Sequence, residues 1–359
     1  MGKILHAEFT NGPDAVIVVS DFGSRMVVWD LSSGRRVEIR DPKFVTRGWG
    51  FRKGGVCALL SRPGPQDVVT MHAGGSWVVL RTVVVPTVDA QGVKWSLDGR
   101  WWVVWDAASA GFKVYIYTLD GNLYRTYAGD GGDGSLGLGI KSVEWSPRGD
   151  YLAIGSFDKR VTLLSTRTFS PIVYLDHTAS IQLVSGAVWQ EQVSATSRTY
   201  TPAAQPISPP SIPSSATEFP PKLGISIMAF SPDGSMLATR DDAHPTTVWL
   251  WDLTKMAPKA VLLQYSSIKS IQWHPACAGL LLIICNPADS EPVLHIWETL
   301  DDGASPPQII TLPKGAFATK SSGPSKLDAR WLPKWSDKIP GIFVGDSQNS
   351  LLVWPEGKE

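Results

Sequence analysis

Cysteine is scarce in this chain, with only Cys57, Cys277 and Cys285. An odd, sparse set excludes the disulfide framework of a small secreted domain and points to a reducing compartment. Net charge is absent as well, 33 acidic residues standing against 33 basic ones. No basic stripe offers the electrostatic footprint that nucleic acid requires. No apolar run reaches the roughly 18 residues of a membrane span. Residues 1–6 lack the apolar core of a signal peptide. The expectation is a soluble protein of the cytoplasm, with no nucleic acid and no membrane among its partners.

Catalytic signatures are missing too. Asp133-Gly134-Ser135-Leu136-Gly137 approaches a nucleophile elbow but lacks its first glycine. Gly132, Gly134 and Gly137 have dinucleotide-loop spacing, yet a strand-like run follows where a helix is needed, so an inter-repeat loop is expected. His274, Cys277, Cys285 and His295 match no paired zinc spacing. Cys285 closes the apolar run 280–284 and reads as a buried, inert thiol. Asp158 and Asp241 read as turn formers, and His177 as a structural hydrogen-bonding group. No enzyme, no metal and no cofactor is expected.

What is present is tryptophan, sixteen in all, often beside β-branched residues as in Val27-Val28-Trp29 and Val248-Trp249-Leu250-Trp251. Such residues fit a pleated, half-buried surface, and long stretches of helical period are lacking. The class is all-β.

A unit recurs: a short strand ending in an aromatic, a Ser-Pro-x-Gly turn, an apolar strand, a polar turn, and a strand ending near Trp-Asp. Residues 140–164 and 227–252 are the clearest copies, with a third beginning at Val93. The strand-ending aromatics are Phe9, Phe51, Trp95, Trp145, Phe230, Trp273 and Trp331, all expected in the seams between units. Five of the six gaps run from 42 to 58 residues, and the sixth, of 85, holds an insertion. A period of about 40–45 residues is that of a WD40 blade, four strands packed between two neighbours. The closing Trp-Asp supplies a wedge and a carboxylate for local backbone N–H groups. Trp105-Asp106 imitates such an end but falls on a second strand. The units near 41–85 and 326–359 are degenerate. The reading is therefore a single WD40 β-propeller over 1–359 with seven blades, six or eight being compatible, and a last blade of three strands.

Residues 178–222 break the pattern, passing a candidate strand near Ile181 into a Pro/Ser-rich tract. Such a tract buries too little apolar surface to offset chain entropy. The expectation is a flexible insertion between blades four and five, carrying minimal proline-directed phosphorylation sites at Thr201 and Ser208.

Two stretches carry a resemblance. Residues 115–127 with 138–158, and 225–252 with its Arg240-Asp241-Asp242 and Trp251-Asp252, resemble the centrosomal WD-repeat family known as WD repeat-containing protein eight. The second-strand Trp105-Asp106 and the proline-containing insertion are further shared traits. The resemblance covers roughly residues 86–300. It implies a non-enzymatic scaffold of the cytoskeleton, at the centrosome or spindle pole body, that anchors microtubule minus ends and supports the mitotic spindle. It also implies a coiled-coil anchoring partner, related to the synovial-sarcoma-X-interacting protein and to an Msd-type protein, and through it a kinesin-14. Family members begin with about two further units, so ring closure is open.

The expected protein-binding residues are Lys141, Phe157, Lys159, Arg240, His244 and Lys269, assigned to loops or turns on the rim of the between-blade connections. Cations and aromatics are frequent interface anchors. The alternative is a generic WD40 adaptor such as a ubiquitin-ligase substrate receptor. Receptors of that kind often carry Trp-Asp-x-Arg, whereas Ser32 and Thr254 occupy the last place here.

Overall fold

Strand follows strand through the computed structural model, interrupted only by two single 3-10 turns among the described residues (Asp21–Gly23 and Ala108–Ala110). Those residues are 3–43, 47–129, 137–194, 197–212, 222–286, 292–299, 305–313, 317, 327–332, 340–346 and 348–355. The glycine run at 132–134 and the tract at 213–221 lie outside them. No described helix is long and apolar enough to cross a membrane.

The described strands make seven sheets. The first holds β1 (Ile4–Phe9), β2 (Ala15–Ser20), β3 (Arg25–Asp30) and β4 (Arg36–Arg40). The second holds β5 (Trp49–Phe51), β6 (Cys57–Ser61), β7 (Val68–His72) and β8 (Val79–Val84). The third holds β9 (Ala90–Trp95), β10 (Trp101–Asp106), β11 (Val114–Thr118) and β12 (Leu123–Tyr127). The fourth holds β13 (Ile140–Trp145), β14 (Tyr151–Ser156), β15 (Arg160–Ser165) and β16 (Pro171–Asp176). In the fifth, β17 (Ala187–Val193) and β18 (Arg198–Pro202) precede β19 (Ile225–Phe230), β20 (Met236–Asp241), β21 (Thr247–Asp252) and β22 (Ala257–Leu263). The sixth holds β23 (Ile268–Trp273), β24 (Leu280–Cys285), β25 (Val293–Glu298) and β26 (Gln308–Thr311). The seventh holds β27 (Asp328–Trp331), β28 (Ile342–Gly345) and β29 (Ser350–Val353). Four-stranded sheets repeated in chain order are the blades of a WD40 β-propeller fold. The degenerate repeat near 41–85 is a complete four-stranded sheet. Trp105-Asp106 does close a second strand, β10.

The chain divides into two compact units, residues 1–158 with 162–172, and residues 159–161 with 173–359. Within the first, strand alternation explains why these runs are continuously apolar. On β6, Cys57 and Leu59 join a cluster with Ile17, Val19 and Val28 of the first sheet. Ala58 and Leu60, pointing the other way, join Trp95, Trp102 and Tyr117 of the third. On β10, Trp102 and Val104 face that same cluster, while Val103 and Trp105 face Trp145, Ile154 and Phe169. Both faces of a central strand are thus buried, since successive side chains point to opposite sides. In the second unit, Leu250, Leu262, Trp273 and Ile283 fill one seam and Ile284, Ile296, Trp331 and Ile342 the next. Each such residue contributes about 1.5–3 kcal/mol of burial energy.

Each of the seven repeat aromatics is the last residue of its strand, the first strand of its sheet in every case but Phe230, whose β19 follows the hairpin strands β17 and β18. Trp95, Trp145, Phe230, Trp273 and Trp331 are buried as expected. Phe9 is not, at 62% exposed, and Phe51 is only half-buried. No β1 side chain enters the cluster that the first two sheets share, so Phe9 has nothing to pack against there.

The expected turn chemistry is explicit after β19. Ser231 Oγ donates to Asp233 Oδ1 at 2.6 Å and accepts from the Met236 N–H at 2.9 Å. The Gly234 N–H closes the turn on the Ser231 carbonyl at 2.8 Å with φ +70°, a conformation glycine adopts without steric cost.

The insertion differs from the expectation of a loop. Residues 187–202 form an antiparallel hairpin whose strand β17 pairs in parallel with β22, Ala187 opposite Ala260 and Gln190 opposite Leu263. The fifth sheet therefore has six strands, in the order β18-β17-β22-β21-β20-β19. A buried polar cluster fixes the hairpin. Glu191 accepts from Arg198 at 3.3 Å and from the Tyr265 N–H at 2.7 Å. The Tyr200 hydroxyl donates to Gln264 and lies 3.0 Å from His295 Nδ1. Bonds of this kind offset the ordering entropy that composition alone suggested was too large.

Candidate protein-interaction surface

The expected rim residues fall partly on strands and partly in turns. Lys141 is the second residue of β13, Arg240 lies on β20 and Lys269 on β23, rather than in loops. Phe157 and Lys159 occupy the turn between β14 and β15, Lys159 with φ +62°.

In the first unit, the Lys141 ammonium stands over the Phe157 ring, 5.2 Å from its centroid. Both side chains are half-buried, and the cation is held over the aromatic face.

In the second unit, two of the cations have inward duties. Arg240 donates to the Ile268 carbonyl and to Asp242, tying β20 to the first residue of the sixth sheet. Lys269 Nζ donates to the Leu327 carbonyl at 2.5 Å, tying the sixth sheet to the seventh. Long side chains cross the seam because the next sheet presents the nearest backbone acceptor. His244, expected as a surface contact, is instead 6% exposed and lies with Nδ1 3.1 Å from Asp241 Oδ2. Asp241 also accepts from the Gly224 and Ala243 N–H groups, so it holds the entry to β19 and leaves His244 facing inward.

Two further histidines, His177 and His295, sit in buried networks. His177 Nε2 lies 2.8 Å from the Thr239 hydroxyl, which also accepts from the Trp251 indole at 2.8 Å. The His177 ring stacks on Trp249, 5.3 Å between centroids. Burial lowers its pKa to about 3, so it is neutral. His295, beneath the hairpin, is lowered to about 3, first by burial and then by the Arg198 charge. Cys57 and Cys285 are buried free thiols, Cys57 pushed up to about 12 by burial. Among the described residues no group of three His, Cys, Asp or Glu side chains is placed to hold a metal ion.

The Trp-Asp ends act as expected. Asp30 accepts from the Ser32 and Ser33 N–H groups, both at 2.9 Å, and Asp252 from Thr254 at 2.9 Å.

Two features of the first unit escaped the sequence. Outer strand β8 exposes Val79, Leu80 and Val84. A pocket of about 460 Å³ opens among β1, β5 and β9, lined in part by His6, Glu8, Arg47, Trp49, Lys94 and Trp95.

Comparison with known proteins agrees with this architecture. Residues 121–163 match the model of the family described as WD domain, G-beta repeat. The chain is similar to the WD repeat-containing protein WRAP73 of Mus musculus, 31% identical over 283 residues, covering 72% of this chain and 60% of that one. It is also similar to the uncharacterized WD repeat-containing protein C32H8.09 of Schizosaccharomyces pombe, 26% identical over 317 residues, covering 84% and 63%. The chain thus spans less than two thirds of the length of either relative. Among solved structures, a chain of the crystal structure of the mitotic checkpoint complex superposes with a TM-score of 0.53 at 14% identity, covering 95% of this chain and 83% of that one. At that identity the likeness concerns fold alone.

Proposed function

We propose, from the premise that this is a WD40-repeat protein, that it is a scaffold for a coiled-coil anchoring protein at the spindle pole or centrosome, with a kinesin-14 recruited through that complex. The observation that carries the reading is the pattern of residues 115–127 with 138–158, and of 225–252, which resembles the centrosomal WD-repeat family. The first stretch holds most of the matched WD repeat at 121–163. It also places Lys141 over Phe157. A cation held on an aromatic suits a helical partner, which presents carboxylates and apolar side chains together at positions three and four apart.

The test is proximity labelling and affinity capture from dividing cells. Enrichment of a coiled-coil spindle-pole protein and focal staining at the poles are expected. Lys141→Glu with Phe157→Ala should reduce capture about tenfold, a loss of about 1.4 kcal/mol, with circular dichroism unchanged. Diffuse staining with capture of a cullin-type ligase would overturn the proposal. Arg240 and Lys269 are unsuitable probes, because reversing either also breaks a link between sheets.

A further inference from the structure

The pocket among β1, β5 and β9 is lined by all three residues of β5, whose middle residue, Gly50, has no side chain. A Cβ there would lie 3.4 Å from the Val93 carbonyl oxygen. The volume, about 460 Å³, lies within the roughly 300–1,000 Å³ typical of ligand sites.

Most polar groups lining it are already engaged. Glu8 accepts from the Trp49 indole and lies 3.1 Å from His6 Nε2. Lys94 donates to Glu144 and, at 3.4 Å, to the Val143 carbonyl. Two groups are left over. No hydrogen bond or ion pair of the Arg47 guanidinium is found among the described residues, and burial disfavours its charged form, opposed by the field of Glu144.

The second is the Trp95 indole. At the same place in their strands, Trp145, Trp273 and Trp331 donate to the carbonyls of Lys94, Ala229 and Gln272 in the preceding sheet, at 3.4, 2.8 and 3.1 Å. Trp95 is only 5% exposed, yet its Nε1–H has no acceptor. A buried donor in that state destabilises the fold until an acceptor reaches it.

Among the described lining residues the Arg47 guanidinium and the Trp95 indole are donor groups with no protein acceptor, which favours a ligand group that accepts. An ionised carboxylate does so, whereas an amide brings donors that this site cannot use. A carboxylate, with one negative charge, meets less repulsion from Glu8 and from Glu144 beside Arg47 than a phosphate dianion does.

We propose that this slot takes the side-chain carboxylate of an acidic segment of a partner polypeptide, held by the Arg47 guanidinium and the Trp95 indole. The proposal deepens the scaffold reading by naming the chemistry of one partner group. Its test does not depend on which protein is captured from cells.

The experiment is NMR on the full chain with ¹⁵N-labelled tryptophan, the Trp95 indole resonance assigned by Trp95→Phe. The probe is N-acetyl-glutamate α-amide, and its glutamine counterpart is the control. The Trp95 signal should move saturably with the glutamate probe, while the Trp145 signal stays still and the glutamine probe has no effect. Arg47→Met should weaken the response at least tenfold and Arg47→Lys at least threefold. Should Arg47→Met lose indole dispersion, the lysine variant alone is decisive. A stationary Trp95 signal, an equal response to the glutamine probe, or wild-type affinity in Arg47→Lys each overturns the proposal.

Discussion

The indole of Trp273, at the end of β23, donates to the carbonyl of Ala229, the penultimate residue of β19, at 2.8 Å. Trp331 repeats the relationship with Gln272, one sheet further on. The repeat aromatic is therefore a directional link between sheets as well as a wedge. Trp273→Phe and Trp95→Phe remove the same ring volume, but only the first loses a hydrogen bond. Urea unfolding should find Trp273→Phe less stable than Trp95→Phe by about 1 kcal/mol. Equal losses would show that the indole donor adds nothing.

Gly92 marks a close approach. A Cβ there would lie 2.4 Å from Cη2 of Trp105 and 3.0 Å from Cβ of Arg47. Gly92→Ala should cost about 3 kcal/mol, the upper range for overpacking a core. Adding Trp105→Phe, which lacks the clashing atoms, should make the double variant more stable than the two single losses predict. Additive losses would place the strain elsewhere.

His177 and His295 are neutral when folded and titrate near their ordinary value of 6.5 when unfolded. Below pH 6.5 the unfolded chain binds more protons, so stability present above that value declines as pH falls toward 3. Each histidine contributes a slope approaching 1.4 kcal/mol per pH unit. Chemical denaturation of His177→Gln across pH 4–7 should have a shallower slope than wild type by about one proton. An unchanged slope would mean that His177 is charged in the fold.

The hairpin at 187–202 should prove integral to the fifth sheet. Glu191→Ala removes the carboxylate that accepts from both Arg198 and the Tyr265 N–H, and removal of one member of a buried pair costs on the order of 3 kcal/mol. Deleting the hairpin should lower the melting temperature and expose β22. Survival of the wild-type melting temperature would return the segment to the class of dispensable loops.

Much of the fold was legible because the same device recurs. Seven aromatics end seven strands, each the first of its repeat unit, and Trp105-Asp106 sits on a second strand. The hairpin was obscured by the prolines and serines around it. Its signal was present in Val188, Trp189, Glu191 and Val193, a strand-like mixture of apolar and polar residues. The rim residues were less legible. Whether Arg240 reaches outward or turns back depends on the Ile268 carbonyl, 28 residues away, and whether His244 is exposed depends on Asp241 and the entry to β19. The slot could not be read at all, because an unmatched indole is recognised only against the matched ones.

The parallel seat of β17 on β22 has a consequence for self-association. Outer strand β8 pairs on one side only and exposes Val79, Leu80 and Val84, so it presents an apolar edge. In the fifth sheet that edge is already occupied by the chain's own hairpin. Strand donation from outside, whether by a partner or by a second molecule in a growing fibril, therefore meets the short β18 on this sheet and not β22.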